Sequence, residues 1–125
     1  MKDDFAAVAE LLQLYFDGLY HSDTGRLRNV FHPDARYVCA TEDELVNLSM
    51  AEYFPVVDKR PAPAASNQAR RDRVVSIAFA GPKTAFARVH CAIGRKHFTD
   101  LLTMVRTPEG WRIISKVFHF DLEEA

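Results

Sequence analysis

The chain has 125 residues, 48% of them hydrophobic, and its 16 basic and 17 acidic side chains leave a formal net charge of −1. That length and apolar content suit one globular domain with a core of its own and leave no room for two, so residues 1–125 are read as a single domain. The balanced charge supplies no long-range field toward nucleic acid or an anionic membrane, and no apolar run approaches the roughly 20 residues that cross a bilayer, so neither partner is expected.

Met1-Lys2-Asp3-Asp4 reads as the acidic start of a helix and not as a signal peptide. Phe5, Val8, Leu12, Tyr15, Phe16 and Leu19 then recur at helical spacing. Gly18 lies near the end of this helix, Ser22 or Asp23 can cap a second short one carrying Leu27, Val30 and Phe31, and Pro33 is expected to stop it. From Ala35 to Ala40 the pattern is that of a strand, and the acidic turn Glu42-Asp43-Glu44 leads to a short return strand over Leu45 to Leu48. Ser49 and Glu52 form a capping box that starts a third helix, which Pro55 should shorten or kink. Arg60 to Ala69, with Pro61, Pro63, Ser66 and Asn67, reads as a mobile surface loop. Beyond it lie four long strands, Arg71 to Ala80, Thr84 to Ile93, Lys96 to Arg106 and Trp111 to Phe120, joined by turns at Gly81-Pro82, Gly94 and Pro108-Glu109-Gly110. Helices first and strands afterwards indicate an α+β fold with helices on one face of an antiparallel sheet.

Two stretches carry a family resemblance. The first is Tyr15-Phe16-Asp17-Gly18 continuing to Val30-Phe31-His32-Pro33-Asp34-Ala35; the second is Phe98-Thr99-Asp100-Leu101-Leu102-Thr103-Met104 followed by Gly110-Trp111-Arg112-Ile113 and Lys116-Val117-Phe118-His119. In this order they resemble the superfamily of nuclear transport factor 2 and the polyketide cyclase SnoaL, and within it the bacterial "putative lumazine-binding" group. The resemblance covers nearly the whole chain. It implies a cystatin-like cone, a curved sheet whose concave side is closed by helices around a pocket, commonly paired through the sheet into homodimers. It implies no single reaction, because that superfamily holds isomerases, dehydratases, cyclases, binding modules and adaptors.

Side chains alternate along a strand, so Phe98, Asp100, Leu102 and Met104 share one face. If that face is concave, Asp100 lies in an apolar pocket that would raise its pKa and suit it to general acid or base work; the bland alternative is a structural acceptor bound to Lys116, Arg112 or a backbone amide. The resemblance favours a pocket carboxylate on this sheet. The same alternation puts Trp111, Ile113, Ser115, Val117 and His119 on one face of the last strand, read as the pocket face, where His119 would act as acid, base or donor. Tyr15 lies on the apolar stripe of the first helix and, as in the resembled steroid isomerases, would donate to a ligand carbonyl, or else be a core tyrosine bonded to backbone. Tyr37, Tyr53, Phe54 and Trp111 add aromatic wall.

His90, His97, His119, Asp100 and Cys91 lack the convergent spacing of a metal site, so neither metal nor cofactor is expected. Cys39 and Cys91 lie far apart without a CxxC pair, which reads as buried thiols in a reducing, cytoplasmic setting. Arg70, Arg71 and Arg73, near Lys59 and Arg60, form the only basic cluster and read as a solvated strand edge. Three functions follow. The first is a dimeric cone binding a modest apolar or aromatic ligand through one polar anchor. The second is an isomerase, dehydratase or cyclase in which Asp100 moves a proton and Tyr15 or His119 steadies the developing charge. The third is a non-catalytic adaptor that presents Phe86, Arg88 and His90 to a partner.

Overall fold

The computed structural model describes residues 3–123. Asp3 caps helix α1 (Asp4–Tyr20), its side chain accepting from the Ala6 N–H at 2.7 Å. The helix buries Val8, Leu11, Leu12, Tyr15, Phe16 and Leu19, whereas Phe5 at its first turn is exposed. Asp23 caps the one-turn helix α2 (Thr24–Leu27) by accepting from the Arg26 N–H. The two helices meet at Gly18, where an added Cβ would lie 2.5 Å from Leu27 Cδ2 and 2.9 Å from Leu27 Cγ. Leu27 is fully buried and has nowhere to swing. In Gly18→Ala the helical gain of about 1 kcal/mol is therefore outweighed by overpacking of about 1–3 kcal/mol. A net loss of about 1 kcal/mol is expected, read as a fall of about 4 °C in thermal unfolding.

Strand β1 (Phe31–Cys39) begins four residues before the expected Ala35 and contains Pro33, which does not serve as a helix stop. Proline fits because the pairing of β1 is irregular between Phe31 and Arg36 and its antiparallel neighbour is engaged only from Arg36 onward, so no ladder bond is forfeited. That neighbour is β2 (Val46–Ser49), and helix α3 (Met50–Lys59) follows with both bonds of the capping box formed, Glu52 N–H to Ser49 Oγ at 3.2 Å and Ser49 N–H to Glu52 Oε1 at 2.9 Å. The helix runs through Pro55 for ten residues. The segment after it is tied down more than its composition suggests. It makes one 3-10 turn over Pro63–Ser66, and Gln68 is held on three sides: its carbonyl accepts from the Tyr20 hydroxyl at 2.6 Å, its Nε2 donates to the Ala92 carbonyl, and its Oε1 accepts from the Gly94 N–H.

Strands β3 (Arg73–Ala80), β4 (Thr84–Ile93), β5 (Lys96–Thr107) and β6 (Gly110–Leu122) form the antiparallel meander read from the sequence. The complete sheet has the order β2-β1-β6-β5-β4-β3, with β1 parallel to β6 and every other pairing antiparallel. It is curved and does not close, giving the expected α+β architecture. The core lies on its concave side, where Ala85, Ala87, Val89 and Cys91 of β4 and Leu102 and Met104 of β5 join the buried faces of α1 and α3. Among the described residues, no helix is long and apolar enough to cross a membrane.

Candidate functional site

The alternation of β5 holds along its length, but that of β6 does not. Thr103 pairs with Ser115 and Met104 with Ile113, so Ile114 is an extra residue in β6, a bulge that reverses the facing of everything after it. Trp111 and Ile113 face inward before the bulge; Lys116 and Phe118 face inward after it. Ser115 and His119, expected in the pocket, are therefore on the other face. His119 is exposed, with Nδ1 at 2.8 Å from Thr41 Oγ1 and Nε2 at 3.0 Å from Asp121 Oδ1. Neither residue belongs to the interior site.

In their place the bulge turns Lys116 into the interior, where the charge of Asp100 acts on it without an ion-pair contact between them among the described residues. Asp100 is fully buried, and the Tyr15 hydroxyl donates to its Oδ2 at 2.5 Å, so Tyr15 is bonded to a side chain and not to backbone. The Cys91 thiol lies 3.8 Å from the same oxygen. Among the described residues, Asp100 Oδ1 and the Tyr53 hydroxyl are buried without a hydrogen-bond partner. Lys116, also buried, holds its Nζ at 5.1 Å from the Tyr15 ring centroid, 5.2 Å from Tyr37, 5.6 Å from Tyr53 and 5.1 Å from Phe118. Such an aromatic box suits an ammonium, because ring faces carry negative potential. Tyr37 and Tyr53 stack at 4.2 Å to complete it.

The electrostatics follow from this packing. Burial, then the adjoining Asp100 and Cys91, push the Tyr15 hydroxyl well above the ordinary tyrosine range. Burial and Asp100 push the Cys91 thiol up as well, which makes it a poor nucleophile. For Lys116, burial works against the charge, but Tyr53, Asp100, Tyr37 and Cys91 favour it more, and the ammonium is held above its usual pKa. The centre thus holds an ammonium whose charge its neighbours favour, an acceptor oxygen and a hydroxyl whose ionisation burial opposes. An amine held protonated does not attack carbonyls.

Above this centre opens a cleft of about 590 Å³ between the β1–β2 hairpin, α3 and the open ends of β4, β5 and β6. Tyr37 and Phe118 are walls of the lysine box and of the cleft at once, with Phe98 and Phe120 beside them at ring separations of 5.7 and 5.9 Å from Phe118 and Phe98 respectively. Of the residues singled out in the sequence, Tyr37 and Phe98 line this cleft, Tyr15, Tyr53 and Asp100 form the centre below it, and Leu102 is ordinary core. Two others are elsewhere. Phe54 lines a separate hollow of about 460 Å³ with Phe31 and Met50, since it lies on the side of α3 turned toward the start of β1. Trp111 precedes the bulge at the far end of the sheet, where its Nε1 donates to Asp4 Oδ1 at 3.1 Å and Phe79 packs on its ring.

Comparison with known proteins agrees with the architecture. A curated relative, "Aldolase FrzH" from Cladobotryum sp, is 25% identical over 120 residues, covering 94% of this chain and 92% of that protein. Among solved structures, an NTF2-like protein of unknown function from Shewanella baltica superposes with a TM-score of 0.82 at 23% identity, over 94% of this chain and 93% of that one. A second, from Silicibacter pomeroyi, gives 0.80 at 24% identity over 94% and 95%. An NTF2-like protein with a cystatin-like fold from Novosphingobium aromaticivorans gives 0.71 at 20% over 93% and 80%. These likenesses establish the fold. The family model described as "Putative lumazine-binding" matches residues 3–119, and the chain belongs to that family.

Proposed function

We propose that this protein binds a flat, largely apolar small molecule in the cleft walled by Tyr37, Phe98, Phe118 and Phe120, with an electron-rich group of the ligand turned toward the buried ammonium of Lys116. The supporting observation is that the cleft and the lysine box share two walls, Tyr37 and Phe118. A volume of about 590 Å³ lies within the usual range for small-molecule sites, and apolar walls with few aimed polar groups are their usual composition. The family description supports a fused heteroaromatic ligand. Fluorescence titration with lumazine tests the reading. Saturable binding is expected, weakened about tenfold or more in Phe98→Ala, which removes one aromatic wall. No binding of lumazine or of any fused-ring aromatic at millimolar concentration would contradict it.

A second reading draws on the Tyr15–Asp100 bond and the free Asp100 Oδ1. In it, Asp100 takes a proton from carbon beside a ligand carbonyl while Lys116 steadies the oxygen that gains charge. The relative named as an aldolase supports carbonyl chemistry of this kind. Its readout is solvent deuterium appearing beside the carbonyl of an aryl ketone, abolished in Asp100→Asn. The convex face carries half-exposed Phe86, Leu101 and Val117, the apolar surface on which pairing of two copies would rest.

A further inference from the structure

Arg60 ends helix α3, its backbone N–H donating to the Val57 carbonyl, and its side chain lines the aromatic cleft. Its Nε and Nη2 atoms are buried, and among the described residues neither has a hydrogen-bond partner. These two nitrogens are not an arbitrary pair. Nε–H and Nη2–H lie on the same side of the planar guanidinium and point in parallel, the fork that matches the two oxygens of a carboxylate. A charged donor buried without an acceptor is costly, and native proteins keep such groups mainly where something else completes them.

The surroundings have the corresponding charge. Arg60, Arg95 and Lys96 line the cleft against one carboxylate, Glu42. Arg95 is already committed, its Nε and Nη2 donating to the Glu123 carbonyl at 3.1 and 2.6 Å, and the Lys96 ammonium lies over the Phe120 ring at 4.6 Å. Among the described residues Glu42 makes no ion pair with Arg60. Arg60 is thus, among the described residues, the lining cation whose fork is unengaged, in a cleft that Tyr37, Cys39, Val46 and Val56 also line.

We propose that Arg60 is the anchor for a carboxylate on the ligand, held by its Nε–Nη2 fork, so that the cleft takes an aromatic carboxylate with its ring between Tyr37, Phe98 and Phe118. This deepens the cleft reading above and rests on it. It assigns the ligand's anionic group to Arg60 at the wall, while the lysine box below meets an electron-rich part of the ring system.

Calorimetric titration of the whole chain with 2-naphthoate and its neutral counterpart 2-naphthamide separates the two claims. Naphthoate is expected to bind about tenfold tighter or more, the size of a charge-assisted hydrogen-bond pair. Arg60→Met should remove that preference, and Arg60→Lys, which keeps the charge but not the fork, should retain only part of it. Without ligand, Arg60→Met should melt at or above the native temperature, because it removes two buried donor nitrogens that lack partners and keeps the stem. Equal binding of the two probes by the native protein, a preference that survives Arg60→Met, or a lowered melting temperature in that variant would overturn the assignment and leave the aromatic cleft standing. Failure of both probes to bind would sink the cleft reading itself.

Discussion

Asp100→Ala is expected to lower stability by about 3 kcal/mol or more, seen as a fall of roughly 10 °C in thermal unfolding. Two losses combine. The Tyr15 hydroxyl, fully buried, is left without the acceptor it reaches at 2.5 Å, a loss of about 1–3 kcal/mol. The Lys116 ammonium, also buried, is left without the carboxyl group whose charge favours its own. Asp100→Asn keeps an acceptor for Tyr15 and should cost less than Asp100→Ala. The two residues should also be strongly non-additive: Asp100→Asn/Lys116→Met is expected to be more stable than Asp100→Asn alone, because the second change removes the charge that the first left uncompensated. Simple addition of the two single effects would show that Asp100 and Lys116 act independently and that the polar centre is not one unit.

Stability should also fall steeply in alkali, in two stages. A group whose folded pKa is raised holds its proton longer in the folded state than in the unfolded chain. Its contribution is therefore complete below the unfolded pKa and is lost as pH rises toward the folded one, at about 1.4 kcal/mol per pH unit for each such group. Cys91 is raised by burial and Asp100, so its share begins to disappear above about pH 8.5. Tyr15 and Tyr37, raised chiefly by burial, and Lys116, raised by its aromatic and acidic neighbours against the effect of burial, join above about pH 10. Urea denaturation at a series of pH values should show the slope steepening between pH 8.5 and 11. Cys91→Ala should remove the first stage, and Lys116→Met should flatten part of the second. A native curve that is level to pH 11 would show that these groups titrate in the fold as they do in the unfolded chain.

The polar centre was half legible. Asp100 could be placed among Phe98, Leu102 and Met104 because β5 carries no extra residue, so period-2 alternation applies throughout. Lys116 could not, because one inserted residue at Ile114 reverses the strand, and nothing in Trp111-Arg112-Ile113-Ile114-Ser115-Lys116 marks which residue is the extra one. The same slip carried Ser115 and His119 to the wrong face. A hint existed in the composition: with Ser115 and His119 inside, the expected pocket face of β6 would hide two polar residues while leaving Phe118 and Phe120 outside, a poor exchange of apolar surface.

Arg60 was hidden for another reason. Its neighbourhood of Pro61 and Pro63 has no periodicity, and only the tertiary path of the chain after α3, pinned by Gln68 to Ala92 and Gly94, shows that the arginine turns into a cleft. Tyr15 was placed correctly on the inward stripe of α1. Its bond to Asp100 spans 85 residues and depends on how α1 lies across the sheet, which helical spacing does not determine.

The most direct test of the cleft above the Lys116 box is an NMR measurement of contacts between ring protons of bound 2-naphthamide and the protein. Nuclear Overhauser effects to Tyr37, Phe98 and Phe118 are the predicted result. Contacts instead to Phe31, Met50 and Phe54, in the hollow on the other side of α3, would contradict the account.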